Sequence, residues 1–305
     1  MNFRKLAVLS SMTFALVLGF VGLSGSGSTT KAALAGCSVP SVSHPTIQSA
    51  VNDVACSTIN VAAGTYNEQV TVTRSDVTIT GAGAGSTIIQ PSIVTANSSS
   101  LFSGAPIAAI VLVDGATGIT VEDLTVDGST AAPSGCAPTY VGIFYRAGSG
   151  AISNTHVTNI FNPAMPGCQG FLGIFVQSGN GGPNLNANVV IDGNTVDKYG
   201  KNGITANEAG TAVTITNNTV TGRGPVGSGD AAQNGVQIGF GAHGKVTNNT
   251  ISDNNYTPAS FVACGMLAFN AGGSLGQTKT SIFSGNEQNV CTAGNGPSAN
   301  SPFNR

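Results

Sequence analysis

One short run carries the residues best suited to chemistry. Asp197-Lys198-Tyr199-Gly200-Lys201 is followed by Arg223 and then Asp230, in a chain with only 8% charged residues. Amines, a guanidinium and carboxylates are the parts that β-elimination of a uronic-acid polymer needs. A base removes the C5 proton, a cation neutralises the neighbouring carboxylate, and an acid assists the leaving oxygen. Lys198 or Lys201 is the candidate base and Arg223 the cation, with Asp230 completing the catalytic set and Glu208 and Asp253 within reach. Bound calcium is the other way to neutralise a carboxylate, although no strand carries several Asp to hold it. No other cofactor is expected.

A second set could bind a sugar. Phe144 and Phe175 offer ring faces, and Arg146, Gln177, Asn207 and Gln237 offer a guanidinium and amides for hydroxyls or a carboxylate. The competing reading is that the two Phe lie beneath neighbouring loops.

What must position these residues is a repeat. Between Val189 and Phe269 the chain says nearly the same thing three times. One run ends in Asn-Thr-(Val/Ile), and the next begins with Gly-(Ile/Val/Met). The second-run glycines are Gly142, Gly173, Gly203, Gly235 and Gly265, with gaps of 31, 30, 32 and 30 residues. Ala109 occupies the same context one repeat earlier. Strands this short cannot bury a core alone, so a fixed period means a stacked solenoid.

Alternation along a strand then sorts the faces. The inward columns read Ile110, Ile143, Ile174, Ile204, Val236, Met266, and two residues on Leu112, Tyr145, Val176, Ala206, Ile238, Ala268. In the other run they read Val121, Ile152, Ile191, Ile215, Val246, Ile282, and then Val126, Val157, Val196, Val220, Ile251. Between these, Asn194, Asn218 and Asn249 recur at one bend and are expected to form a ladder of side-chain amides. The outward columns are Val111, Phe144, Phe175, Thr205, Gln237, Leu267, and Val113, Arg146, Gln177, Asn207, Gly239, Phe269.

This pattern resembles the right-handed parallel β-helix of the pectate lyase superfamily, over roughly residues 45–290. The opening is similar as well: Thr46-Ile47-Gln48 leading to Ala50-Val51, then INVAAGTYNEQV from Ile59, then VTITGAG from Val77. It looks like the entry segment of pectinesterases and many other secreted β-helix proteins, in which the equivalents of Tyr66 and Glu68 are structural. The resemblance implies an all-β, single-stranded right-handed parallel β-helix with a short N-terminal capping helix over residues 45–54, its apolar face made of Ile47, Ala50, Val51 and Val54. Some polysaccharide lyases of the superfamily place Lys and Arg on neighbouring coils, as Lys198, Lys201 and Arg223 would be here. Polygalacturonase and pectinesterase motifs do not match. Gly241-Ala242-His243-Gly244-Lys245 is only an echo of the first, with no Asp pair beside it.

Arg4 and Lys5 before the apolar run from Leu6 to Leu23 read as a signal peptide over residues 1–33. Its removal leaves eight basic against thirteen acidic residues, a net charge of −5. With no basic patch, nucleic acid is not an expected partner. Leu34-Ala35-Gly36-Cys37 also matches a lipoprotein box, which would lipidate Cys37. The expected organisation is a cap segment over 34–57, the solenoid over 58–291 and a flexible tail over 292–305. A secreted or surface-held monomer without a membrane span, with a polysaccharide as partner, is the expectation.

Six Cys in an exported chain permit 15 pairings. Cys37 and Cys56 flank the expected helix, Cys136 and Cys168 lie in equivalent loops of adjacent coils, and Cys264 and Cys291 fall at the last coil and its successor. The pairs Cys37–Cys56, Cys136–Cys168 and Cys264–Cys291 are therefore expected, and the lack of a Cys/His cluster in the sequence argues against metal. Of the histidines, His44 is given no role, and His156 interrupts a column of Thr125, Thr195, Thr219 and Thr250. The Thr ladder, with Thr221 and Ser252, is a type that can bind ice or pack on a wall polymer. Two functions stay open: an enzyme acting on an acidic extracellular polysaccharide, by lyase or second by hydrolase chemistry, and a non-catalytic binding or adhesion module. Convergence of Lys198, Lys201, Arg223 and Asp230 in one groove would favour the enzyme.

Overall fold

A computed structural model describes residues 36–179, 182, 185–257, 261–272 and 280–293. The expected signal peptide and the tail beyond 293 lie outside them. The described chain is all-β apart from one short helix, and its three parallel sheets make the right-handed parallel β-helix that the repeat requires.

Each coil visits the three sheets in turn. One coil runs through Ile119–Glu122 in the first sheet, Thr125–Asp127 in the second and Thr139–Arg146 in the third. The next runs through Ser149–Ser153, His156–Thr158 and Phe171–Gln177, with every strand paired parallel to its predecessor. The first of the two expected runs is therefore two strands, split at the Asn bend. Position −1 of that bend is Asn154, Gly193, Asn217 or Asn248, all with φ between 48° and 68°. Asn and Gly are the residues that accept this left-handed conformation.

The inward columns are buried as the pattern requires. Ile143, Ile174, Ile204, Val236 and Met266 are all fully buried, as are Val126, Val157, Val196, Val220 and Ile251. Each such side chain contributes about 1.5–3 kcal/mol by leaving water. The glycine column is set by close approach. A Cβ on Gly142 would lie 2.6 Å from Gly173 O and 2.6 Å from Val157 Cγ1, and one on Gly235 would lie 2.4 Å from Ile251 Cγ2.

The Asn ladder forms. Asn194 Nδ2 donates to Ile152 O at 3.0 Å and Asn218 Nδ2 to Ile191 O at 2.9 Å, and Asn218 Oδ1 accepts from the backbone N–H of Asn194 at 2.9 Å. Asn249 repeats the pattern on Ile215 O.

Two stretches depart from the expected register. In Pro106–Asp114, Val111 pairs with Ile143 and Val113 with Tyr145, so Val111 and Val113 point inward and Leu112 and Asp114 join the outer columns. That strand is apolar at nearly every position, so alternation cannot fix its parity, and a one-residue slip exchanges the two faces. Ile282 does not continue the Val246 column. It pairs with Thr250 in the second sheet and is 66% exposed, while Phe283 takes the inner place beside Ile251.

The helix spans Ile47–Asn52, shorter than expected. Thr46 caps it, and Asp53 ends it by accepting from the backbone N–H of Ala55 at 2.9 Å, which leaves Val54 exposed. Ile47, Ala50 and Val51 are buried in the core. Glu68 accepts from the N–H groups of Ile47 and Gln48 at 2.9 and 2.8 Å, and the Tyr66 hydroxyl donates to Ala62 O at 2.9 Å. Both residues therefore have structural work. All three expected disulfides form. The sulfur of Cys37 is bonded to Cys56, which engages the atom a lipid would need.

Candidate functional site

Four long loops, joining Asp127 to Thr139, Thr158 to Phe171, Val226 to Asn234 and Tyr256 to Cys264, leave the coil at one corner between the second and third sheets, and neighbouring ones pack on each other. Cys136–Cys168 joins the first two, and Asn162 Nδ2 donates to Pro133 O at 2.7 Å. Ala231 N–H donates to Pro166 O at 2.9 Å, and Val226, Ala232, Tyr256 and Ala263 form a small apolar cluster between the last two.

Three of the four catalytic candidates meet in this wall. Arg223 pairs with Asp230 at 3.1 Å, donates to Tyr199 O at 3.2 Å and lies 3.8 Å over the Phe161 ring. Gln233 accepts from the Arg223 backbone N–H at 2.9 Å and donates to Tyr199 O at 2.6 Å. Lys201 is buried and donates to Ala232 O at 2.5 Å. Burial pulls its amine down to about 7, the direction expected of an ammonium withdrawn from water. Burial also lowers the Arg223 guanidinium, with Asp230 pushing the other way. Lys198 does not join them. It sits exposed at a second bend, at φ 49°, in the same kind of position as Asn159 and Asp253.

The outer face of the third sheet changes character along the axis. Ile107, Ala109, Leu112, Val141, Phe144, Leu172 and Phe175 form an apolar cluster. Phe144 and Phe175 stack with centroids 4.9 Å apart, but they are 0% and 1% exposed, so they offer no open platform. Beside them runs an arm. Ser98–Ser99 pairs antiparallel with Pro106–Asp114, Ser99 O accepts from Arg146 Nε at 2.8 Å, and Leu101 N–H donates to Gln177 Oε1 at 3.0 Å. Arg146 is also paired with Asp114 at 2.8 Å. Two of the expected sugar ligands, Arg146 and Gln177, therefore anchor this arm. Residues 91–107 carry no periodicity in the sequence that would mark it.

The next two coils replace the apolar surface by amides. Asn202 Nδ2 donates to Thr205 Oγ1 at 3.1 Å and to Gln237 Oε1 at 3.2 Å. Asn234 Nδ2 donates to Asn202 Oδ1 at 2.9 Å, and Gln237 Nε2 to Asn207 Oδ1 at 3.0 Å. All of these side chains are buried, and two atoms of the network, Asn207 Nδ2 and Asn234 Oδ1, have no partner. Buried polar atoms are normally paired, because each orphan costs about 1–3 kcal/mol. A donor and an acceptor left unpaired match what a hydroxyl supplies, although both atoms are shielded from solvent. Asn207 and Gln237 were legible in the sequence, whereas Asn202, Thr205 and Asn234 were missed as ligands. The signal for them was a column in which Val141 and Leu172 give way to Asn twice.

The remaining candidates are dispersed. His156 Nε2 lies 3.0 Å from Asp197 Oδ2 on the outer face of the second sheet. Burial pushes the Asp197 carboxyl up, but the hydrogen bonds from His156 and Thr158 outweigh it and hold the carboxyl below its usual range. Thr195, Thr219 and Thr250 stand exposed and in register beside this pair. His243 and Lys245 are exposed on the first sheet, away from the loop wall. His44 has neighbours that the sequence did not announce, because Cys37, His44 and Cys56 cluster within 4.8 Å. The expectation that no Cys/His group exists held for the linear sequence and fails in space, since the helix between His44 and Cys56 turns the chain back.

No protein-family model matches the chain, and no curated protein does. Among solved structures, the chain is similar to a pectin methylesterase from Erwinia chrysanthemi at 12% identity and a TM-score of 0.45, covering 82% of this chain and 93% of that one. It is also similar to a carrot pectin methylesterase at 13% identity and 0.40, over 87% and 90% of the two chains. A third is an alginate lyase from Paenibacillus sp. str. FPU-7, at 15% identity and 0.36, over 83% and 98%. The parallel β-helix itself is established by the chain's own three sheets.

Proposed function

We propose that this is a secreted carbohydrate-active β-helix protein that holds an extracellular polysaccharide against the outer face of its third sheet. One observation carries the reading: the buried amide network of Asn202, Asn207, Asn234 and Gln237 leaves one donor and one acceptor unpaired. Sugar hydroxyls both donate and accept, so a hydroxyl can satisfy either atom. The three disulfides fit an oxidising, extracellular setting. The solved structures to which the chain is similar include two pectin methylesterases and an alginate lyase, and an acidic polymer is the substrate class we propose.

For chemistry, β-elimination is the reading to test, with or without calcium. Its support is the Lys201 amine, whose pKa burial pulls down to about 7, toward the neutral form that a proton-abstracting base needs. A binding module without catalysis is favoured by two other facts. Arg223 is already neutralised by Asp230, and Lys198 stands apart from the corner.

The test incubates the protein with a panel of uronate polymers, with and without calcium, following the ultraviolet absorbance of unsaturated uronate ends and, separately, binding by affinity electrophoresis. A rise in absorbance that Lys201→Met abolishes supports the lyase. Retardation without such a rise, lost in Asn207→Ala, supports a binding module. Neither signal with any polymer sinks the carbohydrate reading.

A further inference from the structure

The entry of the solenoid holds a group that the polysaccharide reading does not use. Cys37 lies on the first strand, Gly36–Val39, and His44 lies between that strand and the helix Ile47–Asn52. Cys56 follows the helix. His44 Nε2 is 3.5 Å from Cys56 Sγ and 3.0 Å from Asp53 Oδ2. The three ligand atoms of Cys37, His44 and Cys56 lie within 4.8 Å of one another, the one such group among the described residues. Cys56 is fully buried, and the His44 side chain is 13% exposed. Arg74 fixes the turn from outside, donating through Nε to Val51 O at 2.6 Å and through Nη2 to Cys56 O.

These spacings are those of ligands around a small soft cation. Sulfur and nitrogen at zinc bonding distances, on a tetrahedron, stand about 3.5 Å apart, and nitrogen and oxygen about 3.3 Å. His44 already stands at the first spacing from Cys56 and close to the second from Asp53. The two sulfurs must separate, which reduction of their bond allows, and the Asp53 carboxylate, which lies outside the group of three, must swing in to complete the set.

We propose that this corner is a redox-gated site for a zinc-class cation, closed by the Cys37–Cys56 disulfide and opened by reduction. A dithiol reductant gives up two S–H bonds and forms its own S–S bond, while the Cys37–Cys56 bond becomes two thiols. The cation then binds both thiolates, releasing two protons, and takes His44 through Nε2, with Asp53 as the fourth ligand. Among the described residues, neither of the other two disulfides belongs to such a group. His156 faces Asp197, and His243 lies exposed on the first sheet.

The full chain, reduced with a phosphine that adds no thiol, is titrated with zinc against a chromophoric chelator and with cobalt(II) for its thiolate charge-transfer band. One zinc per chain and a cobalt band are expected. In His44→Gln the affinity falls at least about tenfold, and in Asp53→Asn by a smaller factor, while Cys264→Ser/Cys291→Ser keeps its zinc. Equal affinity in His44→Gln means the thiols bind without the corner and overturns the proposal. Absence of stoichiometric zinc in the reduced wild type overturns it as well.

Discussion

Two sets of buried amides in this molecule have the same residue types and opposite states. At the bend between the first and second sheets, each interior Asn of the ladder serves the backbone: its Oδ1 accepts from the preceding coil's N–H and Asn side chain, and its Nδ2 donates to the preceding coil's carbonyl and to the following coil's Asn Oδ1. On the outer face of the third sheet, Asn202, Asn207, Asn234 and Gln237 bond mainly to each other and leave two atoms unused. The first set closes the backbone's accounts at a place where the strand ladder is interrupted. The second sits on strands whose backbone is already paired, so it is not needed to hold the coil. Burial alone does not separate the two. Who receives the hydrogen bond does.

The comparison breaks first if truncation hurts both sets equally. Asn218→Ala removes a side chain that serves Ile191 O, Thr216 O and the N–H of Asn194. It should cost about 3 kcal/mol or more in denaturant unfolding, because several buried groups lose partners together. Gly235→Ala, which sets a methyl against Ile251 and Gly265 O, should cost about 1–3 kcal/mol by the same measurement. Lys201→Met sharpens the contrast on the loop side. The folded chain gives up the Lys201 proton near pH 7, while the unfolded chain keeps it up to the ordinary lysine range. The unfolded state therefore binds more protons in that window, and stability should rise with pH there by up to ~1.4 kcal/mol per unit, a slope the variant loses. Asn207→Ala should be the mildest, about 1 kcal/mol, since it removes the orphan Asn207 Nδ2 while leaving Gln237 Nε2 without its acceptor. Its effect should appear instead as lost polysaccharide retention.

Much of this was written in the sequence wherever residue type and spacing repeat. The Gly column, the Ile and Val columns, the Asn ladder and the two cross-coil disulfides follow from one period of about 31 residues, because stacking makes each coil test the next, while Cys37–Cys56 follows from the helix it flanks. Where a strand lost its contrast the reading slipped. Pro106–Asp114 is apolar on both faces, so Val111 and Leu112 exchanged places. Ile282 was assigned by type, yet its partner is a Thr of another sheet. The catalytic cluster was half legible. Lys201 and Arg223 meet through the 227–233 loop, but Lys198 falls at a bend that its neighbours in sequence do not mark. The arm at Ser98–Ser99 and the His44 corner have no repeat to announce them, since each depends on one long-range contact.

The glycine column also has a bearing on how such a chain can change length. Asn202-Gly203 and Asn234-Gly235 are the same dipeptide at the same point of successive coils, in register across the third sheet. An in-frame excision of residues 203–234 would join Asn202 directly to Gly235, set Gly173 against Gly235 and bring Asn194 to Asn249. Both stacked series would close over the gap without a frameshift in their pattern. The axial length of the solenoid is thus a countable, heritable quantity here, gained or lost one whole turn at a time.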